Sequence, residues 1–342
     1  MTSVLIKRVI WLAAMIILSG CSGAQDGVSP ASTTALRVAI VPPGFTSPFH
    51  VAIKAGAVAE AARQGWNVDV VAAEKEDDFV GQVAVTEQEL EKGVAAISLN
   101  PIDAKAIVTA VKKANEAYIP VFMHNLITPV DEGQVVEYIG YDQWSGAASL
   151  AAYTCKLLNN QGNVFILMGI PGFHTNRRSD GFVWGLNKYC PMVKVVGQQT
   201  AEWDRTKAIA VATVALQQHP EINVFYGNSD EMGIGACTAA TKMGRKINHD
   251  VWCVSIDGNN VTLDLIAKGE MTATLGVYPE RMGVTIIQQM AKYLKGEKIP
   301  YILETPSIVV DQSDLADYKA GKTWTEPKPG EPELDNGKPT GE

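Results

Sequence analysis

Polar and aromatic residues recur directly behind apolar runs in this chain. Ser47, Phe49 and His50 follow Leu36–Val41; Asn100 follows Val94–Leu99; His124 and Asn125 follow Pro120–Met123; Asp142 follows Val135–Gly140. Asn176 and Arg178 follow Asn163–Met168, Trp203 follows Val193–Gln198, Ser229 follows Asn223–Tyr226, and Asp257 follows Val251–Ile256. Aromatic rings cover the C–H faces of a polyhydroxylated molecule. Planar amides and carboxylates can engage two neighbouring hydroxyls. Burying such a ligand is favourable only when nearly every hydroxyl finds a partner, so many polar residues are needed together. The competing reading of an Asp or Asn behind a strand is a helix N-cap. Asp103, Asp204 and Asp230 are read that way, whereas Asp142 and Asp257 fit either role.

Other chemistries find less support. The sequence has no Gly-x-Ser-x-Gly elbow and no phosphate loop ending in Gly-Lys-Ser/Thr, so the chain is not expected to be an enzyme. Asp142 and Asp257 as a glycosidase carboxylate pair is the alternative considered. His50, His124 and His174 could in principle meet around zinc, but neighbouring carboxylates are lacking, and neither a metal nor a cofactor is expected.

These residues need a scaffold that brings strand ends together. Short β-branched runs alternate with amphipathic stretches such as Pro48–Gln64, Phe79–Lys92, Ser145–Asn159, Arg178–Tyr189 and Ser229–Met243. That alternation predicts parallel sheets covered by helices on both faces. Roughly ten strands over this length exceed one comfortable sheet, so two α/β lobes are expected. Ligands of open parallel sheets sit beyond the carboxyl ends of the strands, where the polar clusters fall.

Composition fits: hydrophobic residues make up 46% and charged residues 19%, which excludes a disordered chain. The net charge of −8, with no basic stripe, argues against a nucleic-acid partner. Lys7 and Arg8 precede an uncharged run, Val9 to Leu18, too short to span a bilayer but suited to a signal peptide. The run ends in Leu18-Ser19-Gly20-Cys21, which resembles a bacterial lipobox. Residues 1–20 are therefore expected to be a signal peptide, Cys21 the lipidated N-terminus and 21–35 a tether, leaving an extracytoplasmic protein anchored to a bacterial membrane. Four further cysteines in an oxidising compartment allow three disulfide pairings, of which Cys155–Cys190 with Cys237–Cys253 is favoured over four free thiols. Residues 325–342, with four Pro, three Gly and no aromatic, are expected to be disordered.

Taken in order, Ser47-Pro48-Phe49, Asn100-Pro101-Ile102-Asp103, Asn176-Arg177-Arg178-Ser179-Asp180-Gly181-Phe182, Trp203-Asp204-Arg205, Asn228-Ser229-Asp230-Glu231-Met232-Gly233 and Ser255-Ile256-Asp257-Gly258 resemble the ribose-binding branch of the periplasmic sugar-binding proteins. The resemblance runs from about Leu36 to Lys322. It implies a type I periplasmic binding fold: lobe one over 36–140 plus 278–303, lobe two over 142–276 plus 306–322, and hinges near Tyr141, Val277 and Thr305. It implies a monomeric receptor that delivers a small sugar or sugar alcohol to an ATP-binding-cassette permease, a chemosensory receptor being the alternative. Phe49 and Trp203 fall on the family's aromatic sandwich, with His50 in the second aromatic place; Ser47, Asn100, Asn176, Ser229 and Asp257 fall on hydrogen-bonding positions. Arg178 matches an Arg that is more often structural. His124-Asn125 replaces an Asp-Arg pair, Asn176 replaces a pocket Arg, Ser229 an Asn and Val277 a Gln. The thinned charge points away from ribose itself and toward a sugar alcohol, a deoxy sugar or another small neutral ligand.

Overall fold

A computed structural model describes residues 35–332. The signal peptide, Cys21, nearly all of the tether and residues 333–342 lie outside the described residues. The first segment runs β1 (Arg37–Val41), α1 (Pro48–Arg63), β2 (Asn67–Val70), α2 (Phe79–Glu91), β3 (Ile97–Leu99), α3 (Ile107–Glu116), β4 (Val121–His124) and β5 (Glu137–Gly140). The second runs α4 (Gln143–Leu157), β6 (Gly162–Met168), α5 (Phe173–Tyr189), β7 (Val193–Thr200), α6 (Arg205–Gln218), β8 (Val224–Gly227), α7 (Asp230–Lys242), β9 (Trp252–Asp257), α8 (Asn260–Ala267) and β10 (Ala273–Gly276). Then follow α9 (Pro279–Leu294), β11 (Ile302–Glu304), β12 (Ile308–Val310), α10 (Leu315–Lys319) and β13 (Lys328–Pro329).

Two sheets result, with orders β13-β11-β5-β4-β3-β1-β2 and β12-β10-β9-β8-β6-β7. Pairing is parallel except at β10–β12 and β11–β13. The chain passes from the first sheet to the second after β5, back after β10, and across again between β11 and β12, where Tyr141, Val277 and Thr305 are buried. It then returns once more to place β13 on the edge of the first sheet. Residues 325–332 therefore depart from the expected disorder: Leu303 pairs with Pro329 and Glu304 with Lys328. An unpaired sheet edge can hold a segment that has no core of its own.

Local sequence explains the elements that carry the loops. In α1, Pro48 occupies the first turn, where no N–H is needed, and the Ser47 hydroxyl accepts from Phe49 N. Helix α1 lies directly on α9; a Cβ on Gly283 would fall 2.0 Å from the Ile53 carbonyl, and one on Gly56 would fall 1.9 Å from that of Glu280. Asp204 caps α6 through Lys207 N at 2.7 Å, as read from the sequence. Cys155 and Cys190 form a disulfide between α4 and the end of α5, with Cα atoms 5.7 Å apart. Cys237 and Cys253 do not pair. They are buried thiols facing each other between α7 and β9, and burial pushes the Cys237 thiol up.

Candidate functional site

Between the carboxyl edges of the two sheets lies a cavity of about 70 Å³. A water needs roughly 10–15 Å³ of such space, so the cavity holds a molecule equivalent to about five water-sized groups. From the first lobe it is lined by Ser47, Phe49, His50, Glu76, Asn100 and Asn125, and from the second by Phe173, His174, Arg178, Trp203, Ser229 and Asp257, among others.

Backbone geometry aims several of these groups. Asn125, Trp203 and Asp257 have φ values of 62°, 64° and 145°. Such conformations are costly for residues other than glycine and persist where the surroundings over-determine them. Trp203 lies over Gly169, where a Cβ would come within 2.1 Å of the indole ring. The Arg178 guanidinium sits 5.5 Å from the Trp203 ring centre. Glu76 Oε1 accepts from Thr46 N and Ser47 N, both at 3.1 Å, and so fixes the loop that opens α1.

The floor of the cavity is a buried network. Arg178 Nη1 donates to Asn228 O at 2.7 Å and to Asp257 Oδ1 at 3.3 Å, and its Nε donates to Gln143 Oε1 at 3.2 Å. Asp257 Oδ2 accepts from Asp230 N at 3.2 Å. Asp230 is not a cap. It is fully buried, and accepts from Ser255 Oγ (2.5 Å), Thr274 Oγ1 (2.7 Å) and Asn259 N (2.8 Å), which holds the β9–α8 turn behind Asp257. Burial pushes the Asp257 carboxyl well up, with Arg178 pulling the other way. Burial, reinforced by the Arg178 charge, lowers His50 to about 3 and takes His174 well below the usual imidazole value. Both rings are neutral at physiological pH. Several polar atoms remain unmatched by protein: His50 Nδ1, Asn125 Oδ1 and Ser229 Oγ are buried without a hydrogen-bond partner in the chain. Each such atom costs about 1–3 kcal/mol unless something meets it.

The structure brings together nine of the residues singled out from the sequence: Ser47, Phe49, His50, Asn100, Asn125, Arg178, Trp203, Ser229 and Asp257. Three others fall outside the lining. His124 is fully buried behind it, with Nδ1 2.8 Å from Ser98 Oγ, because the side chain at the end of β4 turns toward the neighbouring strand β3. Asp142 is a cap on α4, accepting from Ser145 N at 2.8 Å. Asn176 is exposed on α5. Helix α5 begins at Phe173, so His174 and Arg178, four residues apart, share the inward face and Asn176 does not. Missed by sequence reasoning were Glu76, Phe173 and Gln143, a fully buried residue just past the first crossing. Among the described residues, no cluster of three or more His, Cys, Asp or Glu is placed to hold a metal ion.

Residues 38–298 match the family profile described as a periplasmic binding protein domain. The chain belongs to the periplasmic binding protein family. Its relatives include the ribose import binding protein RbsB of Bacillus subtilis, 31% identical over 77% of this chain and 83% of that one. The D-allose-binding periplasmic protein of Escherichia coli is 28% identical over 84% and 94%. A periplasmic solute binding protein of an ABC transporter from Actinobacillus succinogenes, solved with bound D-allose, superposes with a TM-score of 0.78 at 27% identity, covering 83% of this chain and all of that one. This periplasmic binding protein thus has the two-lobed fold of the family and an extracytoplasmic place of work.

Proposed function

We propose that this periplasmic binding protein is the receptor of an ABC importer, that it binds a small uncharged sugar or sugar alcohol between its lobes, and that it hands the ligand to the membrane permease. The reading rests on one observation: a cavity faced by Phe49 and Trp203 from opposite lobes has buried polar atoms of His50, Asn125 and Ser229 still unmatched. The ligand contacts are Ser47, Phe49, His50, Asn100, Asn125, Trp203, Ser229 and Asp257, with Arg178 anchoring Asp257 from behind. The neutral histidines and the internally paired Arg178 leave no free charge for a carboxylate or phosphate ligand. Glycan- and polyol-type hydroxyls can both donate and accept, which suits unmatched atoms of mixed character. Names of relatives support the class: ribose and D-allose are bound by the proteins above. The protein is monomeric and held to the membrane by lipid on Cys21. Closure is a hinge motion about Tyr141, Val277 and Thr305.

The test is thermal unfolding of the protein, unfolded and refolded to strip bound molecules, against pentoses, hexoses, tetritols, pentitols and inositols. A ligand at a hundred times its Kd stabilises by about 2.7 kcal/mol, a shift of a few degrees. A shift with one class supports the reading. No shift with any carbohydrate, alongside a shift with an amino acid or zinc, overturns it. Labelling with radioactive palmitate followed by loss of label in Cys21→Ser tests the anchor.

A further inference from the structure

One chain of hydrogen bonds crosses the cleft without needing a ligand. Gln143 is fully buried at the start of α4, and both ends of its amide are dictated by partners with one role each. Asn125 O can only accept, and lies 2.7 Å from Gln143 Nε2; Arg178 Nε can only donate, and lies 3.2 Å from Gln143 Oε1. The amide therefore cannot be flipped. Its second Nε2 hydrogen points at His174 Nδ1, 2.8 Å away. Nδ1 must then accept, so the ring proton sits on Nε2, which donates to Asn100 Oδ1 at 3.1 Å. His174 and Gln143 stand on the second lobe, and Asn100 and Asn125 on the first.

We propose that His174 is a positioning residue that ties closure of the two lobes to a neutral imidazole, and that it occupies Asn100 Oδ1 so that the Asn100 amide meets a ligand with its N–H₂ side. A protonated ring places N–H against the N–H of Gln143, and that amide cannot turn to relieve the conflict. Burial of the ring and the Arg178 charge on α5 both disfavour a positive His174, while His50 on α1 and His124 on β4, each lowered to about 3, stay neutral across this range. The carboxylates of the cavity are already engaged: Asp257 on β9 by Arg178 and Asp230 N, and Glu76, in the loop before α2, by Thr46 N and Ser47 N. In the open protein the ring faces water and titrates near 6.5. Closure then demands loss of that proton, and the closed fraction falls by up to tenfold per pH unit below 6.5, about thirtyfold at pH 5.

The proposal rests on the two-lobe receptor reading but not on the ligand being a sugar, and it is tested with no ligand added. Nitroxide labels on cysteines introduced at Lys75 and Thr206, one on each lobe beside the mouth, report the distribution of cleft widths between pH 8 and pH 5. In the protein with native His174 the narrow population declines with acid. In His174→Gln, whose amide can make both hydrogen bonds but has no proton to gain, the slope of log closed-to-open ratio against pH drops by up to one below pH 6.5, whatever His50 contributes. Asn100→Ala leaves the His174–Gln143 conflict intact but removes the cross-lobe bond, so its narrow population is reduced already at pH 8. Equal slopes for native and His174→Gln proteins overturn the proposal, as does a narrow population in Asn100→Ala unchanged from native at pH 8.

Discussion

Glu137 offers a quantitative test of the interior. It is fully buried on β5, an interior strand of the first sheet, between β11 and β4, that leads into the first crossing. Gln289 Nε2 donates to its Oε1 at 2.7 Å, while Oε2 has no partner. Burial pushes the carboxyl up to about 8, against the smaller downward pulls of the Gln289 hydrogen bond and the Lys292 charge. Below pH 4.5 both folded and unfolded states hold the proton and the group is silent. Between 4.5 and 8 the unfolded chain gives up its proton and the folded one keeps it, so stability falls by about 1.4 kcal/mol per pH unit. At pH 8 the accumulated loss is about 4 kcal/mol. Glu137→Gln has the shape of the protonated acid and keeps the acceptor that Gln289 needs. It should match the parent at pH 4.5 and exceed it by about 4 kcal/mol at pH 8, measured by urea unfolding across that range. Equal stability at both pH values would mean that Glu137 ionises freely in the folded protein, and would refute the reasoning.

Trp203→Ala should weaken ligand binding by roughly 1–3 kcal/mol while leaving the unfolding midpoint nearly unchanged, because it removes a stacked ring from the cavity wall; an unchanged Kd by calorimetry removes Trp203 from the site. Asp257→Ala should lower stability as well as affinity, by about 3–5 kcal/mol, since it strands the buried Arg178 charge; denaturation at parent-like urea concentration counts against the buried pair. Reduction of Cys155–Cys190, which are 35 residues apart, should cost about 4 kcal/mol in the chain-entropy account, and titration of free thiols under denaturing conditions should give two before reduction. Four free thiols, if Cys21 is blocked by lipid, would contradict that bond.

The scaffold was legible because parallel strands buried on both faces read as unbroken apolar runs, as β1 does with Val38-Ala39-Ile40-Val41 fully buried. β13 was not, since Lys328-Pro329 carries no strand signal and is held by the edge of β11. The start of α5 was missed for a related reason. Gly172 provides no side-chain cap, so nothing in Pro171-Gly172-Phe173 announces a helix; a helix read as starting only at Arg178 leaves Asn176 as a loop residue at a family binding position, whereas on α5 the inward face goes to His174 and Arg178. Asp142 and Asp257 both follow strands and look alike in sequence. One caps α4 and the other faces the cavity, and the difference lies in the positive φ of Asp257, which only the fold reveals. Asp230 shows the opposite error: a residue read as a cap proved to be the buried acceptor that fixes the turn behind Asp257.

The central claim, a small uncharged polyhydroxylated ligand between the lobes, is tested most directly by calorimetric titration of the refolded protein with matched pairs. Each pair sets a neutral sugar or sugar alcohol against its carboxylate or phosphate counterpart. The account predicts one-to-one binding at micromolar Kd or tighter for a neutral member and no measurable heat for its charged partner. Tighter binding of the charged partner, or heat from neither member of any pair, contradicts it.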